Sequence, residues 1–352
     1  MEEKGILERI ELSLVNQMEI QNAMYPLEIP VLQSAPSTIE FARMVHSNFP
    51  AVIKHVVDDM PAMNWTPQSL KRSIGNLKVP VAETPLGNAD SPFHNVLFVQ
   101  PHIRQMEVGQ LIDYLQGSDS NNPVRYMQSQ DSNLESQFKT LTPDVYTDFE
   151  FAHGAVGDKP SAINVWIGNS YSTSRLHSDN FDNLFVQVHG HKRIYLIPPG
   201  DAYALDERFL VGATYQKTED GSFVISIDGT DKQIPADAST QEIQDVLKGL
   251  ELTMPRTMFP TVDPSDPNTH NSIFKNHCKV YSVDLGPGDM LYIPALWYHQ
   301  VQITGPPTEL CVSLNYWYAV DSMSPLWAKW NYVRASAAAL RGYNDPHFFD
   351  PL

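Results

Sequence analysis

The spacing of apolar residues divides the chain near residue 160. Before that point, short stretches with helical spacing mix with apolar runs typical of strands, without a regular βαβ repeat. The first such stretch, residues 2–20, predicts an amphipathic helix that packs on the body of the protein or on a partner subunit. Its apolar positions are Ile6, Leu7, Ile10 and Leu14. The irregular mixture argues against a doubly wound parallel sheet.

From Ala162 onward, predicted strands follow one another closely. They are SAINVWIG, RLHSDNFDNLFVQV, KRIYLIPP, KVYSVDLG, DMLYIPALWYHQV and ELCVSLNYWYAV. Gly190 lies between the second and third of these strands and predicts a tight hairpin turn. The pattern predicts a mainly β protein in which flanking helices surround one barrel core.

Helix starts are indicated by capping residues. Ser37 with Glu40, and Ser239 with Glu242, have the spacing of a capping box. Ser324, followed by proline, opens an aromatic helix that ends near residue 342.

Residues 200–280 interrupt the run of strands. Within them, the stretch MFPTVDPSDPNTH is rich in proline and aspartate, which predicts a surface loop. An insertion of this length beside a site is either a lid or a decoration. We therefore expect three regions: 1–125, a mixed helix and strand region packed on the core; 126–320, the barrel with an insertion at about 200–280; and 321–352, a C-terminal helix.

Composition narrows the class of protein. The 352 residues include 42% hydrophobic and 18% charged residues, as in a folded globular protein. The net charge of −17 argues against a general nucleic-acid binder; it suits a basic polypeptide substrate, although acidic solubility explains it as well. Cys278 and Cys311 are too few for a disulfide framework, and no apolar run reaches the ~18 residues of a membrane span. We expect a cytoplasmic or nuclear protein with reduced thiols.

Candidate metal ligands lie in two of the predicted strands. His177 and Asp179 form an H-x-D triplet, which strand alternation places on one face. His299, on a distant strand, offers a third ligand from across the barrel interior. Two histidines and one carboxylate form the facial triad of non-haem Fe(II) oxygenases, with coordination positions left open. The alternative is a set of structural polar residues.

Lys192 begins the strand after Gly190. A buried lysine is costly unless it meets an anion, and a dicarboxylate cosubstrate that chelates iron at one end would supply one. The alternative is a solvated lysine beside a turn. Four more polar residues in apolar strands are either site residues or hydrogen-bonded core residues: Tyr126, Ser174, Asn183 and Asn315. His153, His189 and His191 are expected at the surface.

As an ordered set, these motifs resemble the JmjC-domain 2-oxoglutarate oxygenases, and most of all the JmjC domain-containing protein 7 type, a group associated with lysyl hydroxylation. The motifs are VAETPLGNAD, YMQSQDSNL, AINVWIG, LHSDNFDNLF, GHKRIYLIPP, ATYQ, GDMLYIPALWYHQV and LNYWY. The resemblance spans residues 78–318 and implies a double-stranded β-helix, the jelly-roll or cupin fold, over residues 126–320.

The resemblance also implies roles. The triad of His177, Asp179 and His299 matches the Fe(II) ligands of the family. The remaining matches bind or neighbour the cosubstrate 2-oxoglutarate: Lys192 its distal carboxylate, Tyr126 and Ser174 as hydroxyl donors, and Asn183 and Asn315 as nearby amides. Arg175 departs from the family pattern, and so does the length of the insertion. These two departures bear on the identity of the substrate rather than on the type of reaction.

The implied reaction consumes O2 and 2-oxoglutarate, releases succinate and CO2, and hydroxylates a protein side chain, which we expect to be lysine. Relatives imply a developmentally regulated GTP-binding protein as substrate, and the terminal helices imply a possible homodimer. No nucleic acid or membrane partner is expected. The alternatives are a histone N-methyl-lysine demethylase of the JmjC class, against which the lack of a cysteine-rich zinc module argues, and a non-enzymatic cupin-like binding protein. A sugar-isomerase cupin would use an H-x-H pair and a glutamate instead.

Overall fold

Two antiparallel sheets pack face to face in the computed structural model and hold the predicted site between them. The structure describes residues 2–128, 131–250, 254–320 and 324–343. Residues 129–130 of the YMQSQDSNL motif, and residues 321–323 and 344–352 of the predicted C-terminal region, lie outside the described residues.

The strands are β1 Val31–Leu32, β2 Ala51–Ile53, β3 Lys78–Thr84, β4 Ser91–Phe93, β5 Leu97–Gln100, β6 His102–Glu107, β7 Val124–Gln128, β8 Ala162–Gly168, β9 Thr173–Ser178, β10 Phe181–His189, β11 His191–Ile197, β12 Arg208–Lys217, β13 Phe223–Ile227, β14 Gln233–Pro235, β15 Arg256–Phe259, β16 Tyr281–Leu285, β17 Met290–Ile293, β18 Tyr298–Thr304 and β19 Cys311–Ala319. The α-helices are α1 Glu2–Met24, α2 Thr38–Ser47, α3 Pro67–Ile74, α4 Val108–Gly117, α5 Glu150–Val156, α6 Thr240–Leu247, α7 Ser272–His277 and α8 Pro325–Leu340. Short 3-10 helices span Pro61–Asn64, Lys139–Asp144, Pro199–Leu205 and Pro267–Thr269.

The core is a jelly roll, as the resemblance implied. One sheet has nine strands in the order β1-β2-β17-β10-β19-β8-β7-β3-β6, and the other has four in the order β16-β11-β18-β9. Consecutive strands β9, β10 and β11 alternate between the two sheets, and so do β16 to β19. Each sheet therefore turns one face inward, and the apolar side chains of both faces form the shared core.

The predicted hairpin at Gly190 is wrong. β10 pairs with β17 and β19 in the nine-stranded sheet, whereas β11 pairs with β16 and β18 in the other sheet. Gly190, with a φ of 73°, is the single residue at which the chain crosses between the sheets. Apolar alternation identified the strands correctly but carries no information about their partners.

A third sheet joins the insertion to the N-terminal region. Its order is β14-β13-β12-β5-β4, and β15 also pairs with β12. The pairing of β12 with β5 is parallel and connects Val211–Thr214 with Leu97–Gln100. The insertion is therefore built into a wall beside the jelly roll. The division into three regions stays a prediction.

One part of the insertion was predicted to be a surface loop and is not. Thr261, Val262 and Asp263, within MFPTVDPSDPNTH, are all buried. Asp263 accepts a hydrogen bond from Gln300, the residue after His299, and forms an ion pair with Arg175. Proline and aspartate are common in loops, but here they form an ordered segment packed against the site.

The terminal helices pack on each other and on the residues near Pro199–Leu205. In α1, Leu14 and Met18 are buried, whereas Ile6 and Ile10 are exposed. The predicted amphipathic helix thus packs on the body through its C-terminal half only. The capping boxes at Ser37 and Ser239 are both present, and Ser324 caps α8. No helix of the described ranges has the length and apolar character needed to cross a membrane.

Glu83 links the third sheet to the nine-stranded sheet of the jelly roll. This fully buried carboxylate on β3 accepts a hydrogen bond of 2.9 Å from Arg125 Nε on β7 and pairs with Lys217 on β12. Burial raises the pKa of Glu83, but the hydrogen bond from Lys217 and the charge of Arg125 outweigh burial, and its pKa lies below the ordinary value.

We expect Glu83→Gln to lower the free energy of unfolding by about 3 kcal/mol at pH 7, because it leaves Arg125, Lys217 and the more distant Arg104 without their buried partner. The lowered pKa means that Glu83 stabilises the fold above its unfolded pKa of about 4.3 and stops doing so as the pH falls through its folded pKa. Urea unfolding should therefore show a difference between variant and wild type that shrinks in acid.

The matched control for this variant is Asp284→Asn. It removes a carboxylate from the exposed Arg193–Asp284 pair, which contributes little because water screens it. A loss for Glu83→Gln no larger than that of the control would contradict the role assigned to Glu83.

Candidate metal and cosubstrate site

The three predicted metal ligands lie together. One donor atom from each of His177, Asp179 and His299 falls within 4.8 Å of the other two. Asp179 Oδ2 is 3.8 Å from His177 Nε2 and 3.6 Å from His299 Nε2. These separations suit three ligands arranged around one ion, with one side left open.

The prediction that His299 reaches the site from across the barrel is wrong. β9 and β18 are neighbours in the four-stranded sheet, and His177 pairs directly with His299 across them. Their ring centroids are 4.3 Å apart. Asp179 follows the last residue of β9, so the H-x-D pair spans the end of a strand. The two imidazoles meet because directly opposed residues of antiparallel strands have neighbouring Cβ atoms.

Backbone carbonyls fix the tautomer of both histidines. His177 Nδ1 lies 2.6 Å from the carbonyl oxygen of Arg175, and His299 Nδ1 lies 3.0 Å from that of Trp297. A carbonyl only accepts hydrogen bonds, so each Nδ1 donates its hydrogen. In the neutral form of either ring, the lone pair is then on Nε2, the nitrogen near Asp179, as a metal ligand requires.

His299 is kept neutral by its surroundings. Burial lowers its pKa to about 4, and the nearby charge of His177 acts in the same direction, against the opposing effect of Asp179. The neutral imidazole is the form that binds a metal, so little proton release is required at neutral pH.

A β-bulge brings Ser174 to the same side as His177. His299 opposes His177, but Val301 opposes Ser174, so two residues of β9 face one residue of β18 between these pairs. Strict alternation would put positions 174 and 177 on opposite faces of the sheet. The extra residue corrects the register and lets both side chains face inward.

Lys192 on β11 is buried, with 1% of its surface exposed. Its Nζ lies 4.9 Å from the ring centroid of Phe185 and 6.0 Å from that of Tyr126. No carboxylate among the described residues forms an ion pair with it. Burial lowers the pKa of Lys192, because the apolar surroundings disfavour the charged form. An anionic ligand in contact with Nζ would compensate for this cost.

The amide and hydroxyl residues complete the surroundings of Lys192. Asn183 Oδ1 is buried without a hydrogen-bond partner among the described residues. Asn315 Oδ1 accepts a hydrogen bond from Trp166 Nε1 at 3.1 Å. Tyr126 stacks on the Trp166 ring, and a Cβ at Gly168 would overlap the Tyr126 ring, so this position requires glycine.

One cavity, here called the inner cavity, joins all of these groups. It lies between the two sheets of the jelly roll. All eight predicted site residues line it, together with Trp166, Phe185, Val301 and Trp317. A metal at the three-ligand cluster and a small dicarboxylate reaching toward Lys192 fit this donor set. The unpaired cation of Lys192 is the group that such a ligand would satisfy.

A second depression, here called the outer cleft, opens beside the inner cavity and shares Trp166, Ser174 and His177 with it. Its other described lining residues are Ala89, Asp90, Phe98, Gln100, Gln128, Arg175 and Phe259. The third sheet forms one wall and the jelly roll the other.

Sequence reasoning missed Asp90 and Gln128. Gln128 Nε2 donates a hydrogen bond of 2.6 Å to Asp90 Oδ2, and burial raises the pKa of Asp90. Gln128 could have been found, because alternation along β7 puts it on the same face as Tyr126. Asp90 lies in a turn, where no periodic signal identifies a partner.

Of the three histidines expected at the surface, His191 is exposed, whereas His153 and His189 are half-buried, and all three lie outside the cluster. His153 pairs with Asp148 at 2.9 Å on α5, and His191 is exposed at the start of β11. His189 Nδ1 bonds the carbonyl of Leu310 at 2.7 Å.

Comparisons with known proteins agree with this architecture. A family model described as a cupin-like domain matches residues 36–323. The human bifunctional peptidase and (3S)-lysyl hydroxylase JMJD7 is 29% identical over 298 residues, covering 84% of this chain and 85% of that protein. The Arabidopsis thaliana lysine-specific demethylase JMJ32 is 26% identical over 306 residues, covering 85% and 84%. The Dictyostelium discoideum JmjC domain-containing protein E is 25% identical over 310 residues, covering 80% and 82%. The chain therefore belongs to the cupin-like domain family, within its JmjC oxygenases.

Proposed function

We propose that this protein is an Fe(II)- and 2-oxoglutarate-dependent oxygenase that hydroxylates a lysine side chain of a protein substrate. The observation that carries the proposal is the pairing, in one cavity, of a three-ligand cluster with a buried lysine that has no acidic partner among the described residues. A protein of the same fold that binds no anion gains nothing from burying that uncompensated cation.

His177, Asp179 and His299 would hold the iron, and each has a defined contribution. The backbone carbonyls aim the two Nε2 atoms, and the hydrogen bond from the Leu296 amide to the Asp179 carbonyl fixes the backbone beside the carboxylate. When bound, Fe(II) supplies the O2 chemistry by which 2-oxoglutarate gives succinate and CO2 while a substrate C–H becomes C–OH.

The residues around Lys192 would bind and orient 2-oxoglutarate. Lys192 Nζ would pair with the carboxylate remote from the metal, with the hydroxyls of Tyr126 and Ser174 as further donors. Asn183 and Asn315 lie on neighbouring strands of the opposite sheet, where their amides face the same cavity. Burial between the sheets excludes water from the cosubstrate, and the outer cleft is left for the polypeptide.

Lysine is proposed as the target because the human relative is named a lysyl hydroxylase. The name of the Arabidopsis relative supports a second candidate, N-methyl-lysine demethylation. Both reactions begin with oxidation of a C–H bond, at a chain carbon in one case and at an N-methyl group in the other. We further propose a developmentally regulated GTP-binding protein as the substrate to test first, in the cytoplasm or nucleus, and a homodimer formed through the exposed apolar side of α1.

Removing a ligand should abolish metal binding. We expect Asp179→Ala and His299→Ala to weaken Mn(II) binding, measured by electron paramagnetic resonance as a redox-inert replacement for Fe(II), by at least about 100-fold, since each removes one of three protein ligands. His153→Ala is the matched control, because His153 lies outside the cluster, and it should bind as wild type does. Wild-type affinity in either ligand variant would contradict the proposed iron site.

Lys192→Met should have opposite effects on the protein with and without cosubstrate. Without 2-oxoglutarate, the variant should be more stable, because a buried unpaired charge is replaced by an apolar chain of similar length. With Mn(II) present, its affinity for 2-oxoglutarate should fall by about 100-fold, equivalent to about 3 kcal/mol, and thermal stabilisation by 2-oxoglutarate should disappear. Unchanged cosubstrate affinity would exclude Lys192 as its ligand.

The reaction itself is tested with purified protein, Fe(II), 2-oxoglutarate and peptides of the candidate GTP-binding proteins. We expect succinate in proportion to a 16 Da increase on unmodified lysine. Loss of 14 Da from methylated lysine would support demethylation instead. A wild-type protein that binds neither the metal nor 2-oxoglutarate would exclude both reactions.

A further inference from the structure

We propose that Asp90 binds the ammonium group of the substrate lysine and thereby selects an unmodified alkylammonium side chain. The inference rests on the proposed function, since it assigns a substrate contact to the same site. Its basis is the position of Asp90 in the outer cleft, next to the metal ligands but outside their cluster.

The carboxylate of Asp90 faces the cleft with half of its hydrogen-bonding capacity unused. Its Oδ2 accepts the hydrogen bond from Gln128, and no hydrogen bond to Oδ1 is found among the described residues. No Lys or Arg side chain of the described residues forms an ion pair with it. A cation that binds beside a carboxylate in such surroundings stabilises its charged form.

Arg175 could have neutralised this charge but does not. It is the one lysine or arginine among the described residues that line the outer cleft. Its guanidinium is bound to Asp263, and Asp263 is held in turn by Gln300 and by the hydroxyl and backbone amide of Ser265. Arg175 is therefore engaged by Asp263, and the charge of Asp90 remains available to a ligand.

The rest of the cleft suits the methylene groups of a lysine. Phe98 and Phe259, from two strands of the third sheet, pack with ring centroids 5.0 Å apart, and Trp166 lies at the junction with the inner cavity. Aromatic walls bind an aliphatic chain while its charged end pairs with a carboxylate. Gln128 orients the carboxylate and thus acts as a positioning residue.

This arrangement distinguishes the two candidate reactions. An ammonium bound at Asp90 is held on the cleft wall, outside the group of donor atoms that surrounds the metal. An unmodified ammonium offers three N–H donors to this carboxylate, and each N-methyl group removes one of them. The proposed contact therefore favours oxidation of a chain carbon over oxidation of an N-methyl group.

The test uses small probes, so that the substrate sequence need not be known. The probes are Nα-acetyl-lysine methylamide and its norleucine, arginine and trimethyl-lysine counterparts. Each is titrated into protein loaded with Mn(II) and 2-oxoglutarate, and broadening of its methylene proton resonances by Mn(II) reports binding near the metal. We expect wild type to bind the lysine probe at least tenfold more tightly than the norleucine probe, which has no charge.

Asp90→Asn keeps the size of the side chain and suits the left-handed backbone at this position, where φ is 49°. It should reduce the lysine preference to below threefold. Asp90→Gly, which removes the side chain and relieves the backbone, should do the same and guards against a folding defect in the first variant. Asp231→Asn is the matched control: it makes the same charge change at an exposed turn of the third sheet and should keep the full preference.

Equal binding of the lysine and norleucine probes to wild type, or a preference that survives in both Asp90 variants, would overturn the assignment. Tighter binding of the arginine or trimethyl-lysine probe would also overturn it, because the contact would not be selecting an unmodified ammonium. A wild-type protein that fails to bind Mn(II) or 2-oxoglutarate would instead overturn the proposed function, which separates the two failures.

Discussion

The pairing of β9 with β18 is the constraint on which the site depends. It sets His177 opposite His299, and the hydrogen bonds from their rings to neighbouring carbonyls use the backbone of the same two strands. The bulge in β9 then turns Ser174 inward beside them. Two ligands of a metal are thus positioned by main-chain geometry, which is stiff, rather than by a network of side chains. Only Asp179 lies beyond the end of its strand.

The second constraint is the buried charge of Lys192, which has no acidic partner among the described residues. A folded chain normally pairs a buried lysine, and this one places Lys192 among aromatic rings. Glu83 shows the usual solution, since Arg125 and Lys217 pair with its carboxylate and Arg104 lies 3.8 Å from it. The contrast between the two sites is the reason why Lys192 is proposed as a ligand-binding residue. The candidate site thus lies where a buried charge has no partner, whereas the buried charge of Glu83 is paired.

Much of this could be predicted from sequence, for physical reasons. Alternation along strands identified the β-rich half, and the capping boxes at Ser37 and Ser239 are local interactions that depend only on spacing. The H-x-D triplet and Lys192 were recognised because charged residues are rare in apolar strands. Strand partners were not predictable in this way: the hairpin at Gly190 and the position of His299 across the barrel were both wrong, because pairing is set by the whole sheet.

Other features were invisible in sequence because they arise from contacts between distant segments. The bulge in β9 needs the register of β18, and the burial of Asp263 needs Arg175 and Gln300. Asp90 became a candidate only when the third sheet placed it opposite Gln128. The composition of a segment indicates how soluble the segment is. The positions of Ser174, Asp263 and Asp90 depend instead on the residues that the fold places next to them.

The third sheet has a consequence for how such a protein can diverge. The candidate metal ligands and the other residues that line the inner cavity come from the jelly roll, while Phe98 and Phe259 of the outer cleft come from the third sheet, which joins the insertion to β4 and β5. Phe259 lies between β11 and β16 and outside the candidate ligand cluster, so its replacement changes the wall of the cleft directly. Asp263 in the same stretch is bonded to Arg175 and Gln300, which adjoin the ligands. A change in what the cleft admits is therefore separable from a change in the cluster at Phe259, but not at Asp263.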